Sequence, residues 1–105
     1  MGKIVIACYR PKPGKQSELE QLTREHVAIL RAEGLATDRI PIAVRSKDGT
    51  IVEVFEWASQ EAIDRAHESA EVRNLWGRYE AACDYVKVVD LAEAGDVWAT
   101  FEPLD

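Results

Sequence analysis

The sequence lacks every glycine-rich motif that cradles phosphate groups. Its six glycines, at positions 2, 14, 34, 49, 77 and 95, never come close enough together to form GxGxxG or a Walker loop. Flavin or nicotinamide binding through these motifs is therefore excluded. HExxH, EF-hand loops, Cys/His clusters and GxSxG are also absent, so we expect no metal, no cofactor and no serine nucleophile of that kind.

Cysteine is scarce. Cys8 lies in the first apolar run and Cys83 at the end of a helical pattern. Two cysteines are too few for a disulfide framework and have no metal-ligand spacing. We expect two buried thiols that act as small apolar side chains.

Positive charge is also in short supply. Thirteen Lys and Arg residues are scattered among nineteen acids, giving a net charge of −6 and an isoelectric point near 4.9. No basic stripe exists for a phosphate backbone, so nucleic acid is not expected as a partner. The apolar runs fall short of the roughly 20 residues that span a bilayer, and no signal peptide is recognisable, which predicts a cytoplasmic protein without a membrane partner.

The length of 105 residues fits one domain. A domain of this size buries roughly two-thirds of its unfolded surface, which is enough for one core. We expect a single domain over residues 1–105, with its core over residues 3–90 and a C-terminal tail over residues 91–105.

The hydrophobic pattern predicts alternating strands and helices. KIVIACY, at 3–9, is a buried strand, and a possible capping box at Ser17 and Glu20 precedes a helical stripe that Gly34 ends. Ser59 caps a second helix, which breaks near 68–70 and restarts at Ser69. DYVKVVDL, at 84–91, is the last strand.

The dipeptide Asp48-Gly49 separates RIPIAVRSK from TIVEVFEW and predicts a hairpin with a two-residue loop. Pro41 cannot donate to a strand ladder, so the first arm is expected at a sheet edge. The resulting order, β-α-β-β-α-β, predicts an α+β ferredoxin-like antiparallel sheet with two helices on one face.

Helices on one face leave the other face of the sheet uncovered, yet the strands are apolar on both faces. A soluble monomer rarely exposes so much apolar surface. We therefore expect a homodimer that packs sheet against sheet, with the segment from Trp98 to Phe101 helping to close it.

Candidate site residues lie on the helical stripes and the strand ends. Two histidines are candidate general bases, His67 first and His26 second. A carboxylate, Glu56 or Glu53, faces the helices, and a one-residue change of register exchanges the two. Glu56 is expected to meet His67, because the helix with His67 starts just after the strand ends. This pair is either catalytic or a structural ion pair.

Aromatic side chains surround this region. They belong either to the core or to the walls of a pocket for a small apolar or aromatic ligand. The candidate wall residues are Tyr9, Phe55, Trp57, Trp76 and Tyr79.

The chain resembles the antibiotic biosynthesis monooxygenase-like family. The resemblance rests on IVIACYRPKPGKQSELEQL, IVEVFEW, SQEAIDRAHES and EVRNLW, covers residues 3 to about 90, and puts Glu56 and His67 on the family's Glu and His positions. It implies a ferredoxin-like fold, a homodimer forming an α/β barrel, and a pocket between helices and sheet in each protomer.

The resemblance also implies two function classes. Characterised relatives include cofactor-independent monooxygenases of aromatic phenols or quinols and haem-degrading enzymes. The haem-degrading branch has an Asn on its first strand, which is missing here, and Ala66 and Trp76 fall near its Trp and axial His positions. We expect a monooxygenase-like enzyme acting on a small aromatic or quinone-type metabolite, or a non-catalytic dimeric ligand-binding or regulatory domain.

Overall fold

The protein is an α+β fold with one antiparallel sheet and three helices, described over residues 2–105 by a computed structural model. Along the chain the elements are β1 (Lys3–Pro11), α1 (Gln16–Ala32), β2 (Ile42–Arg45), β3 (Ile51–Trp57), α2 (Gln60–Ala66), α3 (Ala70–Ala82), β4 (Cys83–Val86) and β5 (Glu102–Pro103). The strand order is β4-β1-β3-β2-β5, and the paired strands are antiparallel. The predicted ferredoxin-like sheet is confirmed, with β5 as an additional edge strand.

The predicted hairpin joins β2 to β3, but its loop is longer than two residues. The Ser46 amide donates to the Thr50 carbonyl at 2.8 Å, so three residues form the loop. Gly49 has φ +91°, as expected where a type I turn continues into a bulge. The predicted edge position of this arm is also corrected, because β5 pairs with β2 at Val44 and Arg45.

The helix ends follow the local sequence closely. Gly34 ends α1, since its amide donates to the Arg31 carbonyl at 2.9 Å, and the next amide reaches Leu30. The break in the second helix is confirmed: Ser59 caps α2, and Ser69 caps α3 by accepting from the Val72 amide at 3.3 Å. The predicted cap at Ser17 is wrong, because α1 starts at Gln16 and Ser17 lies inside its first turn.

The sheet has two chemically different faces. All three helices pack against one face, which we call the helix face. It carries Tyr9, Ile51, Phe55 and Trp57, together with the residues paired with them on the adjacent strands. The open face carries the alternate positions, among them Ile4 and Ile6, which are 59% and 50% exposed. The main core therefore lies between the helices and the helix face.

The C-terminal residues, expected as a tail, are part of the fold. β4 ends at Val86, earlier than predicted, and two short 3₁₀ turns follow. Leu91 packs on the open face, and Leu104 enters the main core. No helix within residues 2–105 is both long and apolar enough to cross a membrane.

Candidate active site

The chemistry-bearing groups meet at the centre of the helix face. Glu53 projects from β3 between Ala7 of β1 and Ala43 of β2. These two small neighbours leave room beside the carboxylate, and Glu53 is only 1% exposed. A buried carboxylate is costly unless hydrogen-bond donors compensate it.

Two donors compensate Glu53, and both reach the same oxygen. His26 Nδ1 lies 2.8 Å from Glu53 Oε1, and the Tyr9 hydroxyl donates to Oε1 at 2.9 Å. Tyr9 is a diagonal cross-strand neighbour of Glu53, within reach for a long side chain. We call these three residues the His–Glu–Tyr group.

The hydrogen bond to Glu53 orients the imidazole. A carboxylate oxygen accepts, so Nδ1 is the donor in this bond, and Nε2 is the ring nitrogen left for another partner. His26 is 3% exposed, and Nε2 is buried without a hydrogen-bond partner within residues 2–105. The ring is held edge-on by Phe55 and Tyr79, with centroids at 5.1 and 5.2 Å.

A cavity of about 350 Å³ lies against His26. This volume is at the small end of ligand pockets, which run from about 300 to 1,000 Å³. Apart from His26 and Glu80, its walls are apolar or aromatic. The wall residues are Val5, Ala7, Tyr9, Phe55, Trp57, Trp76, Tyr79 and Tyr85.

The environment keeps both buried tyrosine hydroxyls protonated. Burial and the charge of Glu53 raise the pKa of Tyr9 well above its usual value. The same two causes raise the pKa of Tyr79, whose hydroxyl lies 3.4 Å from Thr23 Oγ1. Both hydroxyls are therefore hydrogen-bond donors at neutral pH.

The predicted pairing of Glu56 with His67 is wrong. β3 alternates, so Glu56 lies on the open face, where Thr37 donates to it at 2.8 Å and Arg39 at 3.2 Å. These two partners lower the pKa of Glu56. His67 follows the end of α2, is exposed, and packs against Trp76 at 5.1 Å between centroids.

The structure thus brings six of the predicted site residues to one cavity and leaves two outside it. His26, Tyr9, Phe55, Trp57, Trp76 and Tyr79 line the cavity, whereas His67 and Glu56 do not. Sequence reasoning left Glu53 open and missed Tyr85 and Glu80. The parity of Glu53 with Phe55 and Trp57 was the signal that it shares their face.

No cluster of three or more metal-ligating side chains occurs among residues 2–105. The His–Glu–Tyr group offers one free nitrogen and one carboxylate already engaged by two donors. Its arrangement can accept a proton from a bound ligand and stabilise the resulting imidazolium.

The fold and site define a ferredoxin-like α+β protein with a buried His–Glu–Tyr group beside an aromatic cavity. A family model described as "Antibiotic biosynthesis monooxygenase" matches residues 3–76. The chain therefore belongs to the antibiotic biosynthesis monooxygenase family, as the sequence predicted. The matched region contains the His–Glu–Tyr group but ends before Tyr79.

A solved structure with a similar fold is that of Rv0793 from Mycobacterium tuberculosis. Its TM-score is 0.63 at 23% identity, and the similarity covers 88% of this chain and 99% of that one. At this identity the likeness concerns the fold. No curated protein matches the chain.

Proposed function

We propose that the chain is a small cofactor-independent monooxygenase-like enzyme that acts on a phenolic or quinol-type aromatic ligand bound against His26. The observation that carries the proposal is that His26 lines the cavity while its Nε2 is buried and has no hydrogen-bond partner within residues 2–105. Buried polar atoms are nearly always hydrogen-bonded. A ligand hydroxyl would satisfy Nε2 while the aromatic walls pack on its ring.

The chemistry begins with proton transfer from the ligand hydroxyl to His26 Nε2. Glu53 stabilises the imidazolium through its Nδ1 proton, and Tyr9 holds Glu53 in place. Burial strengthens these interactions, because water does not screen them. His26 is thus the general base of the proposed reaction, and Glu53 and Tyr9 are positioning residues.

The resulting phenolate reacts with molecular oxygen. A ring carbon that bears a hydrogen forms a bond to dioxygen, and the resulting peroxide anion takes back the proton from His26 to give a hydroperoxide. That carbon then loses its hydrogen as a proton, the O–O bond breaks, and the departing hydroxide leaves with a proton as water, so that a carbonyl remains. One oxygen atom enters the product and the other leaves as water, and the ligand supplies all the electrons.

The test compares the two histidines. Oxygen consumption is measured with a panel of phenols, naphthols and quinols, and ligand binding is measured by calorimetry. His26→Gln is expected to lower turnover by about 100-fold or more, the usual contribution of a general base, with binding changed only a few-fold. His67→Gln, outside the cavity, is expected to keep most of the turnover.

The outcomes separate the candidate functions. Full turnover in His26→Gln would place the base elsewhere, and loss of turnover only in His67→Gln would favour the residue first expected from the sequence. If the wild type binds ligands of the panel but consumes no oxygen with any of them, the result would instead support a non-catalytic ligand-binding domain.

We also propose that the open face of the sheet packs on a second copy of this chain. Besides Ile4 and Ile6, Ile42 on β2 is 59% exposed. An apolar groove of about 370 Å³ lies on the same face, lined by Val52, Leu91 and other side chains. A continuous apolar sheet face suits a self-complementary two-fold contact.

Analytical ultracentrifugation tests this assembly. The wild type is expected to sediment as a dimer at micromolar concentration, and Ile6→Asp to sediment as a monomer, because it places a charge in the interface. Ile40→Asp is the matched control, since Ile40 is 84% exposed and lies outside the strands. A monomeric wild type would contradict the proposal.

A further inference from the structure

A carboxylate lines the cavity in addition to the imidazole of His26. It belongs to Glu80, near the end of α3, and it is exposed, whereas His26 is buried. Aromatic rings form most of the wall around these two polar groups. A ligand that fills the cavity therefore meets a base at its buried part and a carboxylate at its exposed part.

The Glu80 carboxylate has no ion-pair partner within residues 2–105. None of the cavity-lining residues is Lys or Arg. Lys12 is close, but its Nζ donates to the Glu80 main-chain carbonyl at 2.8 Å, and Lys12 does not line the cavity.

The charge of Glu80 acts on the cavity wall. Burial, followed by the charges of Cys83 and Glu80, raises the pKa of Tyr85. Tyr85 is a cavity residue and is 58% exposed. The exposed part of the cavity thus combines aromatic rings with a negative charge, which is the chemistry that attracts organic cations.

We propose that the ligand carries a protonated amine, which lies against Glu80 and the aromatic wall while its phenolic hydroxyl meets His26. The placement of the ligand hydroxyl at His26 rests on the proposed function, whereas the placement of the ligand amine rests on Glu80 alone. An anionic ligand would meet the Glu80 carboxylate with no Lys or Arg among the cavity-lining residues to compensate it, so the site selects against such a ligand.

Three probes that share one ring and differ in the charge of the side chain test the proposal. They are tyramine, 4-ethylphenol and 3-(4-hydroxyphenyl)propionate, and their dissociation constants are measured by calorimetry at pH 7. Tyramine is expected to bind about fivefold more tightly than 4-ethylphenol, the size of an exposed ion pair with a cation–π contact. The propionate is expected to bind most weakly.

Glu80→Gln is expected to remove most of the preference for tyramine, and Glu80→Lys to reverse it. Glu71→Gln is the matched control, because it makes the same charge change on α3 but lies outside the cavity. It should leave the order of the three probes unchanged.

A fourth probe, 2-phenylethylamine, separates this inference from the proposed function. If the phenols bind in a way that depends on His26, but the charge of the ligand side chain does not change the dissociation constant, the amine proposal is overturned and the proposed function stands. If 2-phenylethylamine binds as tightly as tyramine and depends on Glu80, the amine proposal is supported and the role of the hydroxyl fails. Absence of binding by all four probes would overturn the amine proposal.

Discussion

Replacement of Tyr9 by Phe isolates the hydrogen bond that holds Glu53. The phenyl ring keeps the contact with Tyr79, whose centroid lies 4.8 Å from that of Tyr9. Only the hydroxyl that donates to Glu53 Oε1 is lost. Hydrogen bonds to charged groups contribute about 1.5–3 kcal/mol. Because His26 still donates to the carboxylate, we expect a loss of about 2 kcal/mol in the free energy of unfolding.

Urea unfolding followed by circular dichroism at one fixed protein concentration measures this loss. For a domain of this length, about 2 kcal/mol corresponds to a fall of roughly 8 °C in the melting temperature. Tyr85→Phe is the control, because Tyr85 is 58% exposed and its hydroxyl has no hydrogen bond within residues 2–105. It is expected to change stability by less than about 0.5 kcal/mol.

A double-mutant cycle assigns the loss to the pair of residues. Tyr9→Phe and Glu53→Gln are combined, and the coupling between them is expected to be about 1 kcal/mol, as for residues in one hydrogen-bond network. Equal stability of Tyr9→Phe and the wild type, or zero coupling, would refute the view that Tyr9 stabilises the buried carboxylate.

Three further predictions concern ionisation and capping. The raised pKa values of Tyr9 and Tyr79 mean that the folded state holds their protons more tightly than the unfolded state. Stability should therefore be intact below about pH 10 and fall above it, less steeply in Tyr9→Phe, as measured by urea midpoints. Burial raises the pKa of Cys8 and raises that of Cys83 to about 11, so both thiols should react slowly with Ellman's reagent at pH 8 and fully in urea. Ser69→Ala should cost about 1 kcal/mol in urea unfolding by removing the cap of α3, and an unchanged midpoint would contradict that role.

The fold was readable from the sequence because its signals are local. The break between α2 and α3 could be predicted from the loss of the helical period and from a serine where the period resumes, and Ser69 is the N-cap of α3. The hairpin needed only Asp48-Gly49, although the loop length depended on the Ser46–Thr50 pairing across it. Local patterns also predicted the family correctly.

The site was harder to read, because its residues are distant in sequence. His26 and Glu53 are separated by 27 positions, and no local pattern joins them. The expected pair of Glu56 and His67 rested on nearness along the chain, which does not fix the face of a strand. Strand parity does fix it: Glu53 shares the face of Phe55, and Glu56 lies on the other.

The position of each group within the fold separates chemistry from ligand selection. The His–Glu–Tyr group lies on α1, β3 and β1, and the two strands pair with each other over seven residue positions. Such central elements hold a base in a fixed geometry. Trp76, Tyr79 and Glu80 all lie on α3. Tyr79 contacts the His26 ring, whereas Trp76 and Glu80 have no ring contact or hydrogen bond to it within residues 2–105. Substitutions of Trp76 and Glu80 should therefore alter ligand affinity more than the proton transfer itself, while the base and its carboxylate stay in place.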